Sequence, residues 1–259
     1  MIKKEFVEER RMGIIQYVNQ KKRASVSELA EHFNVTEVTI RRDLILLEQE
    51  QRLVRTHGGA MSGLDRSIWQ ITNLSSRLEN FAEEKRRIAE YVATLIKDGE
   101  SLFIDSGSTA LLVAQSLLSH RRLMVVTNSP TIAQTLASVN DNKVIIVGGE
   151  FEKTTDSIIG TSCEDNLQRY RTDKAIIGIS GILIPDGYFA AEPQEASIKR
   201  IMADNAKYSI CISDSSKIGT TAFSFVHARK TIDLLVTDTN IKEQDANSLR
   251  KHGANIVIV

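Results

Sequence analysis

Residues 36–60 carry a repeat of apolar side chains that predicts a helix with one buried face. If the helix begins after Thr36, then Ile40, Leu44 and Leu47 fall at positions i, i+4 and i+7 and form one apolar stripe. The side chain of Thr36 is suited to accept a hydrogen bond from the first turn and so to cap the helix. We therefore expect the stripe to pack against other elements and the opposite face to stay free.

The free face of this helix carries two adjacent arginines. Val38, Arg41 and Arg42 point away from the apolar stripe. Arginines near the N-terminal end of an exposed helix suit phosphate oxygens and guanine edges in the major groove of DNA. An isolated arginine pair is more typical of a solvated surface, so the surrounding pattern has to decide between the two interpretations.

A second short helix precedes this one. Residues 27–33 place Leu29, Ala30 and Phe33 on one side, and Asn34-Val35 supplies a tight polar break before the next helix. Two helices joined by so short a turn form a helix-turn-helix unit, which we place at about residues 24–43.

A basic, glycine-rich hairpin is expected after the two helices. Leu53-Val54-Arg55 leads through Thr56-His57 to Gly58-Gly59-Ala60, and such a hairpin can lie along the sugar-phosphate backbone as a wing. The unit is therefore predicted to be a winged helix-turn-helix. The residues expected to contact DNA are Ser27, Thr36, Glu37, Val38, Thr39, Arg41, Arg42, Arg55, His57 and Gly58.

The pattern changes twice along the chain. A first helix over Glu5–Gln20 is expected to support the next two helices, whereas Met61–Asn80 is polar, lacks a clean period and contains the single tryptophan, Trp69. We divide the chain into a DNA-binding domain at residues 1–62, a linker at 63–80 and a second domain at 81–259.

Short apolar runs alternate with helical segments throughout the second domain. The runs expected to be strands are Ser101–Ile104, Leu123–Val126, Lys143–Val147, Lys174–Ile177, Lys207–Ile212, Asp233–Val236 and Asn255–Val259. Apolar runs separated by helices predict a mainly parallel sheet with helices on both faces. The second domain is therefore predicted to be α/β.

Composition and charge neither add to nor exclude this interpretation. The 259 residues are 42% hydrophobic, which is enough for a substantial core in one large or two ordinary domains. Lysine plus arginine and aspartate plus glutamate both number 33, so no excess of positive charge indicates nucleic acid. The DNA hypothesis rests on where the arginines lie.

The two cysteines indicate neither a metal site nor a disulfide framework. Cys163 and Cys211 lie far apart without a C-x-x-C or histidine spacing, and Cys211 sits in an apolar run where burial is expected. We expect no cofactor and no metal. No stretch approaches the ~20 apolar residues that a membrane helix needs, and we expect a cytoplasmic protein.

Small and polar residues follow most of the predicted strands. In open α/β sheets ligands bind at the carboxyl ends of strands, so these loops are the candidate site. Asp105-Ser106-Gly107-Ser108-Thr109 lies between a strand and a helix, where N–H groups, hydroxyls and the helix dipole can converge on a phosphate. The loop is neither a Walker A loop nor a dinucleotide turn, and by itself it is equally compatible with a plain capped turn.

These motifs together resemble the DeoR family of bacterial transcriptional regulators. The N-terminal resemblance lies in V-S-E-L-A-E-H-F-N-V-T-E-V-T-I-R-R-D-L-I-L-L-E and the closing R-T-H-G-G-A. The C-terminal resemblance lies in D-S-G-S-T, V-T-N-S, G-G-E, D-K-A-I-I-G-I-S-G-I, E-A-S-I-K-R-I-M and D-S-S-K. It covers nearly the whole chain, from about Glu8 to Val257, and within it the two arginines indicate DNA binding.

The resemblance implies a C-terminal effector domain with a fold similar to ribose-5-phosphate isomerase and a phosphorylated sugar as ligand. It implies that the loop from Asp105 to Thr109 holds sugar or phosphate, that Asn128 lines the pocket and that Lys217 contacts the ligand. The residues expected to bind the effector are Asp105, Ser106, Gly107, Ser108, Thr109, Asn128, Gly148, Gly149, Glu192 and Lys217.

The function expected from both halves is a sequence-specific regulator, a repressor of a carbohydrate-utilisation operon that a phosphorylated sugar controls. A helix-turn-helix module of this size gains affinity by pairing, so a homo-oligomer, dimer or tetramer, is expected on repeated half-sites. One alternative is a sugar-phosphate isomerase-like enzyme that uses Asp105, Glu192 or Lys217 as acid-base groups, with the DNA-binding module appended. Another is activation rather than repression, because the operator's position decides the sign.

Two departures from the family pattern concern apolar side chains. Ile45 and Leu46 stand where such regulators more often carry polar residues, and we expect them to meet a neighbouring subunit or the linker. Pro185–Ala190 replaces a small, threonine-rich turn. Within it, Tyr188 or Phe189 either shapes the ligand site or packs on its own domain as part of a hairpin.

Overall fold

The chain folds as two compact units, Met1–Gln70 and Ile71–Val259, each with its own hydrophobic core. The computed structural model describes residues 2–21, 23–49, 52–56, 58–62, 73–228 and 232–259.

The N-terminal unit is a winged helix-turn-helix. Its elements are α1 (Ile2–Lys21), β1 (Arg23–Ser25), α2 (Val26–His32), α3 (Glu37–Gln49), β2 (Leu53–Thr56) and β3 (Gly59–Ser62). The strands form an antiparallel sheet in the order β1-β3-β2. The pair β2–β3 is the hairpin that the sequence predicted. The short strand β1 was not predicted from the apolar pattern.

The predicted apolar stripe of α3 is the centre of this unit's core. Ile40, Leu44 and Leu47 have no exposed surface and pack in one cluster with α1 and α2 side chains such as Ile14 and Leu29. Each such side chain contributes ~1.5–3 kcal/mol by leaving water. The stripe therefore fixes which face of α3 remains outside.

Side-chain caps fix where the two helices of the motif begin. At the start of α2, Ser25 Oγ accepts from the Glu28 backbone N–H at 3.1 Å, and Glu28 Oε2 accepts from the Ser25 N–H at 2.7 Å, a complete capping box. At the start of α3, Thr36 Oγ1 accepts from the Thr39 N–H at 3.3 Å, as predicted.

Gly59 is required by the close approach of β1 and β3. A Cβ atom at this position would lie 2.1 Å from the carbonyl oxygen of Ala24, which no side chain can tolerate. The wing begins beside this contact, where the N–H of Val26 donates to the carbonyl of Gly58 at 2.8 Å.

A buried carboxylate ties α1 to α3. Asp43 is 3% exposed and accepts from Arg10 Nε at 2.8 Å and Arg11 Nε at 3.0 Å. Burial of a carboxylate is costly unless it is paired and hydrogen-bonded, and two guanidinium groups meet that need here. This contact holds the two helices in register on the side of α3 away from solvent.

The second unit contains a seven-stranded, fully parallel sheet. Its central strands are β4 (Ser101–Ile104), β5 (Met124–Thr127), β6 (Lys143–Ile146), β9 (Thr172–Gly178), β12 (Ala206–Ile212), β14 (Leu234–Thr237) and β15 (Ile256–Ile258). The strand order is β15-β14-β12-β9-β4-β5-β6. Every strand predicted from the apolar runs is present in this sheet, within a few residues of the predicted bounds.

Helices cover both faces of the sheet, as predicted. They are α4 (Leu74–Glu79), α5 (Ala82–Thr94), α6 (Ser108–Ser116), α7 (Pro130–Ala137), α8 (Thr161–Leu167), α9 (Pro193–Asp204) and α10 (Glu243–Lys251). One core cluster gathers side chains of α5, α6 and α7, and the other gathers those of α8, α9 and α10. Cys211 has no exposed surface and lies in the second cluster, as expected.

Two small antiparallel sheets complete the unit. They are formed by β7 (Glu150–Glu152) with β8 (Ser157–Ile159), and by β10 (Gly181–Leu183), β11 (Gly187–Ala190) and β13 (Ser224–Ala228). The segment Pro185–Ala190 is therefore a hairpin. Tyr188 is 1% exposed in the second core cluster and Phe189 stacks edge-on against Phe225, with ring centroids 5.6 Å apart. Both aromatic side chains pack on their own domain.

The second unit begins earlier than the sequence placed it. Residues 73–80 were assigned to a linker, but they contain α4, which Asn73 caps by accepting from the Ser76 N–H at 2.9 Å. Leu74 and Leu78 pack against the first core cluster. A short polar helix with two apolar contacts lacks the period that would have revealed it. Residues 63–72, including Trp69, lie outside the described residues.

Among the described residues, none of the helices combines the length and the apolar character needed to cross a bilayer.

Replacing Asp43 by asparagine is expected to lower the free energy of unfolding of the N-terminal unit by about 1–3 kcal/mol, because Arg10 and Arg11 lose their carboxylate. Native-state hydrogen exchange of the α3 amides reports this unit separately. Glu37→Gln is the matched control. It removes an exposed pair with Arg41 and is expected to cost less than about 0.5 kcal/mol. Equal losses in the two variants would contradict the role assigned to Asp43.

Candidate functional site

The outer face of α3 is exposed and carries the arginine pair. Arg41 and Arg42 are both exposed, Val38 is 60% exposed and Thr39 is half-buried. Arg41 Nη2 lies 3.2 Å from Glu37 Oε2, one helical turn earlier. Because both side chains of this pair are about half exposed, the pair is weak and its guanidinium can exchange to another anion.

The remaining predicted DNA contacts lie at the turn and the wing. Ser27, Thr36 and Gly58 are exposed, and Ser27 Oγ lies 3.1 Å from Ser25 Oγ within the α2 cap. Arg55 belongs to β2 but its side chain lies outside the described residues, as does the whole of His57. Ile45 and Leu46 are 39% and 37% exposed, so the described residues of the N-terminal unit do not cover them fully.

The carboxyl edge of the parallel sheet has a topological switch point between β4 and β9. From β4 the chain proceeds to β5 and β6 on one side of the sheet, whereas β9, β12, β14 and β15 lie on the other. At such a point the loops leave the sheet in opposite directions and open a crevice, which is where ligands bind in open α/β folds. The loop that starts at Asp105 follows β4 directly.

Asp105 anchors this crevice through a buried ion pair. Its side chain is 1% exposed, and its Oδ2 accepts from Lys199 Nζ at 2.6 Å and from the Gly178 N–H at 3.1 Å. Lys199, on α9, is also buried. Burial lowers the pKa of Lys199, but Asp105 and Glu195 raise it more, so the ammonium stays charged.

The second oxygen of Asp105 is a buried acceptor without a partner. Oδ1 forms no hydrogen bond with any residue that the structure describes. An unpaired buried carboxylate oxygen is unfavourable, and it offers a strong acceptor to a ligand hydroxyl.

The loop after Asp105 presents the N-terminus of α6. Gly107 takes φ +124° at the N-cap position, where no side chain caps the helix, and a Cβ atom there would meet no atom within 4 Å. The first-turn N–H groups at Ser108 and Thr109 therefore retain their capacity for an anion. Both of these side chains are buried.

Asn128 acts as a brace behind the loop. Its Oδ1 accepts from the Ser106 N–H at 3.1 Å and its Nδ2 donates to the Ile158 carbonyl at 3.2 Å. The sequence placed Asn128 in the pocket lining, whereas its amide is already engaged with protein on both sides. It contributes to the site by holding the loop in shape.

The glycines after β6 and the glutamate before α9 are less central than the sequence suggested. A Cβ atom at Gly149 would lie 2.6 Å from the Ile159 carbonyl oxygen, so the packing of the β7–β8 hairpin accounts for this glycine. Gly148 is exposed, with open space around it. Glu192 is exposed at the start of α9, while Glu195, one turn later, is half-buried.

Glu195 is the carboxyl group that belongs to the Asp105 cluster. The pKa of Glu195 is raised, mainly by burial and further by the charge of Asp105. The charges of Lys199 and Arg77 oppose this shift. The position of Glu195 on α9 one turn before Lys199 places both on the same helix face. The spacing alone did not show which of the two glutamates faces the site.

Lys217 follows β12 in a turn held by serines and aspartates. Asp238 accepts from the Ser215 N–H at 2.6 Å and from Ser215 Oγ at 2.9 Å, and Asp214 accepts from Ser216. Lys217 itself is half-buried and forms no ion pair with a described residue. Its ammonium group is therefore not neutralised by a described carboxylate, and the contact with a ligand that the sequence predicts stays a prediction.

Two further cations, which were not predicted from the sequence, lie at this site. Lys85, on α5, is 5% exposed. The pKa of Lys85 is lowered to about 8, mainly by burial and further by Lys217 and Arg77, while Asp214 opposes the shift. Burial also lowers the pKa of Arg77, which Glu195 and Asp105 oppose.

One signal for Lys85 was present in the sequence. It lies one turn before Ile88 and Ala89, on the stripe that buries α5, and a lysine in an apolar stripe is rarely left unpaired. Arg77 had no comparable signal, because it lies in the segment that was read as a linker.

Two family models match the chain. The DeoR-like helix-turn-helix domain matches residues 10–63 and the DeoR C terminal sensor domain matches residues 80–239. The glycerol-3-phosphate regulon repressor of Escherichia coli K12 is 37% identical over 232 residues, 89% of this chain and 90% of that protein. The transcriptional repressor GlcR of Bacillus subtilis 168 is 32% identical over 253 residues, 98% of this chain and 96% of that protein.

Among solved structures, ribose 5-phosphate isomerase A of Methanocaldococcus jannaschii is 17% identical, with 53% of this chain and 55% of that chain covered and a TM-score of 0.40. The matches of both family models, together with the long alignments to named repressors, show that this chain belongs to the DeoR family of transcriptional regulators.

Proposed function

We propose that the chain is a repressor of a carbohydrate-utilisation operon that binds operator DNA through α3 and releases it when a phosphorylated sugar fills the carboxyl edge of the sheet. One observation carries this proposal. Three features lie at a single edge: the N-terminus of α6, which no described side chain caps, three cations, and a buried oxygen of Asp105 that forms no hydrogen bond with a described residue.

The DNA contacts follow from the exposed face of α3. Its buried stripe leaves Val38, Arg41 and Arg42 outside, where a helix that enters the major groove presents side chains to base edges and phosphates. The residues proposed to contact DNA are Ser27, Thr36, Glu37, Val38, Thr39, Arg41, Arg42, Arg55, His57 and Gly58.

The chemistry of the sensor site favours a ligand with both an anion and hydroxyl groups. The N-terminus of α6 and the cations Lys85 and Lys217 suit a phosphate. Asp105 Oδ1 repels an anion but accepts from a hydroxyl. A neutral sugar supplies no anion for the cations, and inorganic phosphate supplies no hydrogen-bond donor of a sugar hydroxyl for Oδ1. The name of the Escherichia coli relative refers to glycerol 3-phosphate, which has both groups.

The residues proposed to form this site differ in their roles. Asp105, Ser108, Thr109 and Lys217 offer groups to the ligand, and Gly107 leaves space for it. Asn128 and Ser106 hold the loop. Gly148 and Gly149, which would let the backbone approach the ligand, and the exposed Glu192 complete the proposed set.

We also propose a homo-oligomer, dimer or tetramer, that acts in the cytoplasm. A single reading helix covers a few base pairs, so pairing on repeated half-sites supplies the affinity and specificity that a regulator needs. Ile45 and Leu46, which the N-terminal unit leaves exposed, are candidate contacts with a second subunit. The effector lowers operator affinity only if it favours a conformation or subunit arrangement that binds DNA less tightly.

An isomerase-like activity has less support. The full-length relatives are named as repressors. Incubation with aldose and ketose phosphates separates the two functions, because a sensor is stabilised by its ligand without turnover.

Arg42→Ala is expected to weaken binding to the operator by about 5- to 150-fold, because α3 loses an exposed cation that contacts a base edge or phosphate. The measurement is fluorescence anisotropy with a duplex that the protein selects from a random pool, and with a scrambled duplex, at several salt concentrations. A loss specific to the selected duplex indicates a base contact. A uniform loss with a shallower salt dependence indicates a phosphate contact.

Arg121→Ala is the control for this experiment, because Arg121 is an exposed arginine of the sensor unit. We expect it to leave DNA affinity within about twofold of the starting protein. Unchanged affinity in Arg42→Ala would show that α3 does not read DNA with this face.

Lys217→Met is expected to reduce sugar-phosphate affinity at least about tenfold, because the ligand phosphate loses a mobile cation. The readout is the rise in melting temperature with increasing glycerol 3-phosphate, glucose 6-phosphate or fructose 1-phosphate. Lys207→Met is the matched control. Lys207 is exposed near the amino end of β12, whereas Lys217 follows the carboxyl end of the same strand.

We expect Lys207→Met to retain the ligand-dependent rise in full. An equal reduction in both variants would place the ligand elsewhere, and no stabilisation of the unmodified protein by any of the three compounds would count against this ligand class.

A further inference from the structure

Helix α4 is held on the sensor unit by few contacts, and two of its hydrogen bonds go to the turn between β7 and β8. None of its six residues is buried, and Leu74 and Leu78 are only partly covered by the first core cluster. The N–H of Leu74 donates to the Thr154 carbonyl at 3.2 Å, and Arg77 Nη2 donates to the Thr155 carbonyl at 3.4 Å. Because so little apolar area is buried, the position of α4 depends on polar contacts.

The C-terminus of α4 is capped by Lys85 of the next helix. Lys85 Nζ donates to the carbonyl of Arg77 and to that of Asn80, the latter at 2.7 Å. The last carbonyls of a helix lack partners within it, and a cation is favoured beside them. The buried ammonium of Lys85 therefore links α4 to α5.

The two cations that hold α4 also face the sensor site. Arg77 interacts electrostatically with Glu195 and Asp105, the carboxylates around Lys199. Lys85 interacts with Asp214 and Lys217 at the neighbouring strand end. The helix also contacts α6, whose N-terminus carries the loop from Asp105. Arg77 and Lys85 therefore both hold α4 and interact with the charged groups of the sensor site.

Arg77 has an unmet bonding capacity. Its Nε is buried and forms no hydrogen bond with any described residue, and its contact with Thr155 is long. Lys85 is also repelled by both Arg77 and Lys217. An anion among them would satisfy the guanidinium and remove the repulsion.

We propose that Arg77 and Lys85 relay effector binding to the DNA-binding unit: an anion in the sensor site binds Arg77, relieves its repulsion with Lys85 and tightens α4 on the sensor unit. The relay rests on the proposed function, because the anion is the phosphate of the effector. Helix α4 is the first described element after residues 63–72, which connect the two units in the chain. A change in how firmly α4 is held therefore occurs directly next to this segment in the chain.

Hydrogen exchange of residues 73–80 in the full chain tests the relay. The amides of Arg77 and Asn80 donate within α4, to Asn73 and Ser76, and report its stability. Saturating glycerol 3-phosphate, glucose 6-phosphate or fructose 1-phosphate, whichever stabilises the protein, is expected to slow this exchange at least about fivefold.

Three variants separate the relay from ligand binding. Arg77→Met is expected to bind the ligand more weakly, and at saturation to show less than about twofold slowing at residues 73–80 and no change in DNA affinity with ligand. Lys85→Met is expected to speed exchange at 73–80 without any ligand. Arg86→Met is the control, because Arg86 adjoins Lys85 but is exposed and pairs with Glu83 and Glu90. It is expected to behave as the unmodified protein.

Several outcomes would overturn the relay. Full slowing and full ligand-dependent release of DNA in Arg77→Met would remove Arg77 from it, and unchanged exchange in ligand-free Lys85→Met would show that Lys85 does not hold α4. Complete loss of ligand binding in Arg77→Met would make this arginine a ligand contact and nothing more. If no sugar phosphate binds the unmodified protein, the proposed function fails, while the ligand-free comparison of Lys85→Met still tests the hold on α4.

Discussion

The buried ion pair between Asp105 and Lys199 is the interaction on which the sensor site depends. Both side chains are almost fully excluded from water, and each isolated charge would cost several kcal/mol to bury. Removal of either side chain alone would therefore leave an uncompensated buried charge. With the Gly178 N–H as a further donor, the pair fixes one carboxylate at the switch point of the sheet and joins β4, β9 and α9 around it. The open crevice keeps its shape because this charge is already neutralised.

The same principle separates structure from recognition in the N-terminal unit. Asp43 is buried and uses Arg10 and Arg11 to hold α1 against α3. Arg41 and Arg42 are exposed and held weakly or not at all by described residues. Buried pairs in this protein set geometry, while exposed cations keep their bonding capacity for a partner. Fixing α3 from its inner face is what leaves the outer face able to present arginines in a defined direction.

The sensor site differs from the outer face of α3 in the burial of its cations. Lys85 is buried against carbonyl oxygens, and burial together with neighbouring cations makes its charged form costly. Such a group responds strongly to an anion, because the anion offsets both costs at once. Helix α4 contributes no buried side chain, and Lys85 donates to carbonyl groups at its C-terminal end. A weakly packed helix that is held by a cation whose charged form is costly is well suited to respond to a ligand.

Local sequence determined the parts of this protein that depend on periodicity and on chain-adjacent caps. The stripe of Ile40, Leu44 and Leu47, the Thr36 cap and the seven parallel strands were all predicted, because one buried face or two buried faces impose a regular spacing on a single element. Tertiary structure alone decided which charges meet. Lys199 joins Asp105 across 94 residues. Arg77 reaches the same edge from a segment that was assigned to the linker, and Lys85 reaches it from a helix to which the sequence assigned no site residue. Ion pairs between distant elements leave no periodic trace, since only the packing of the whole unit brings them together.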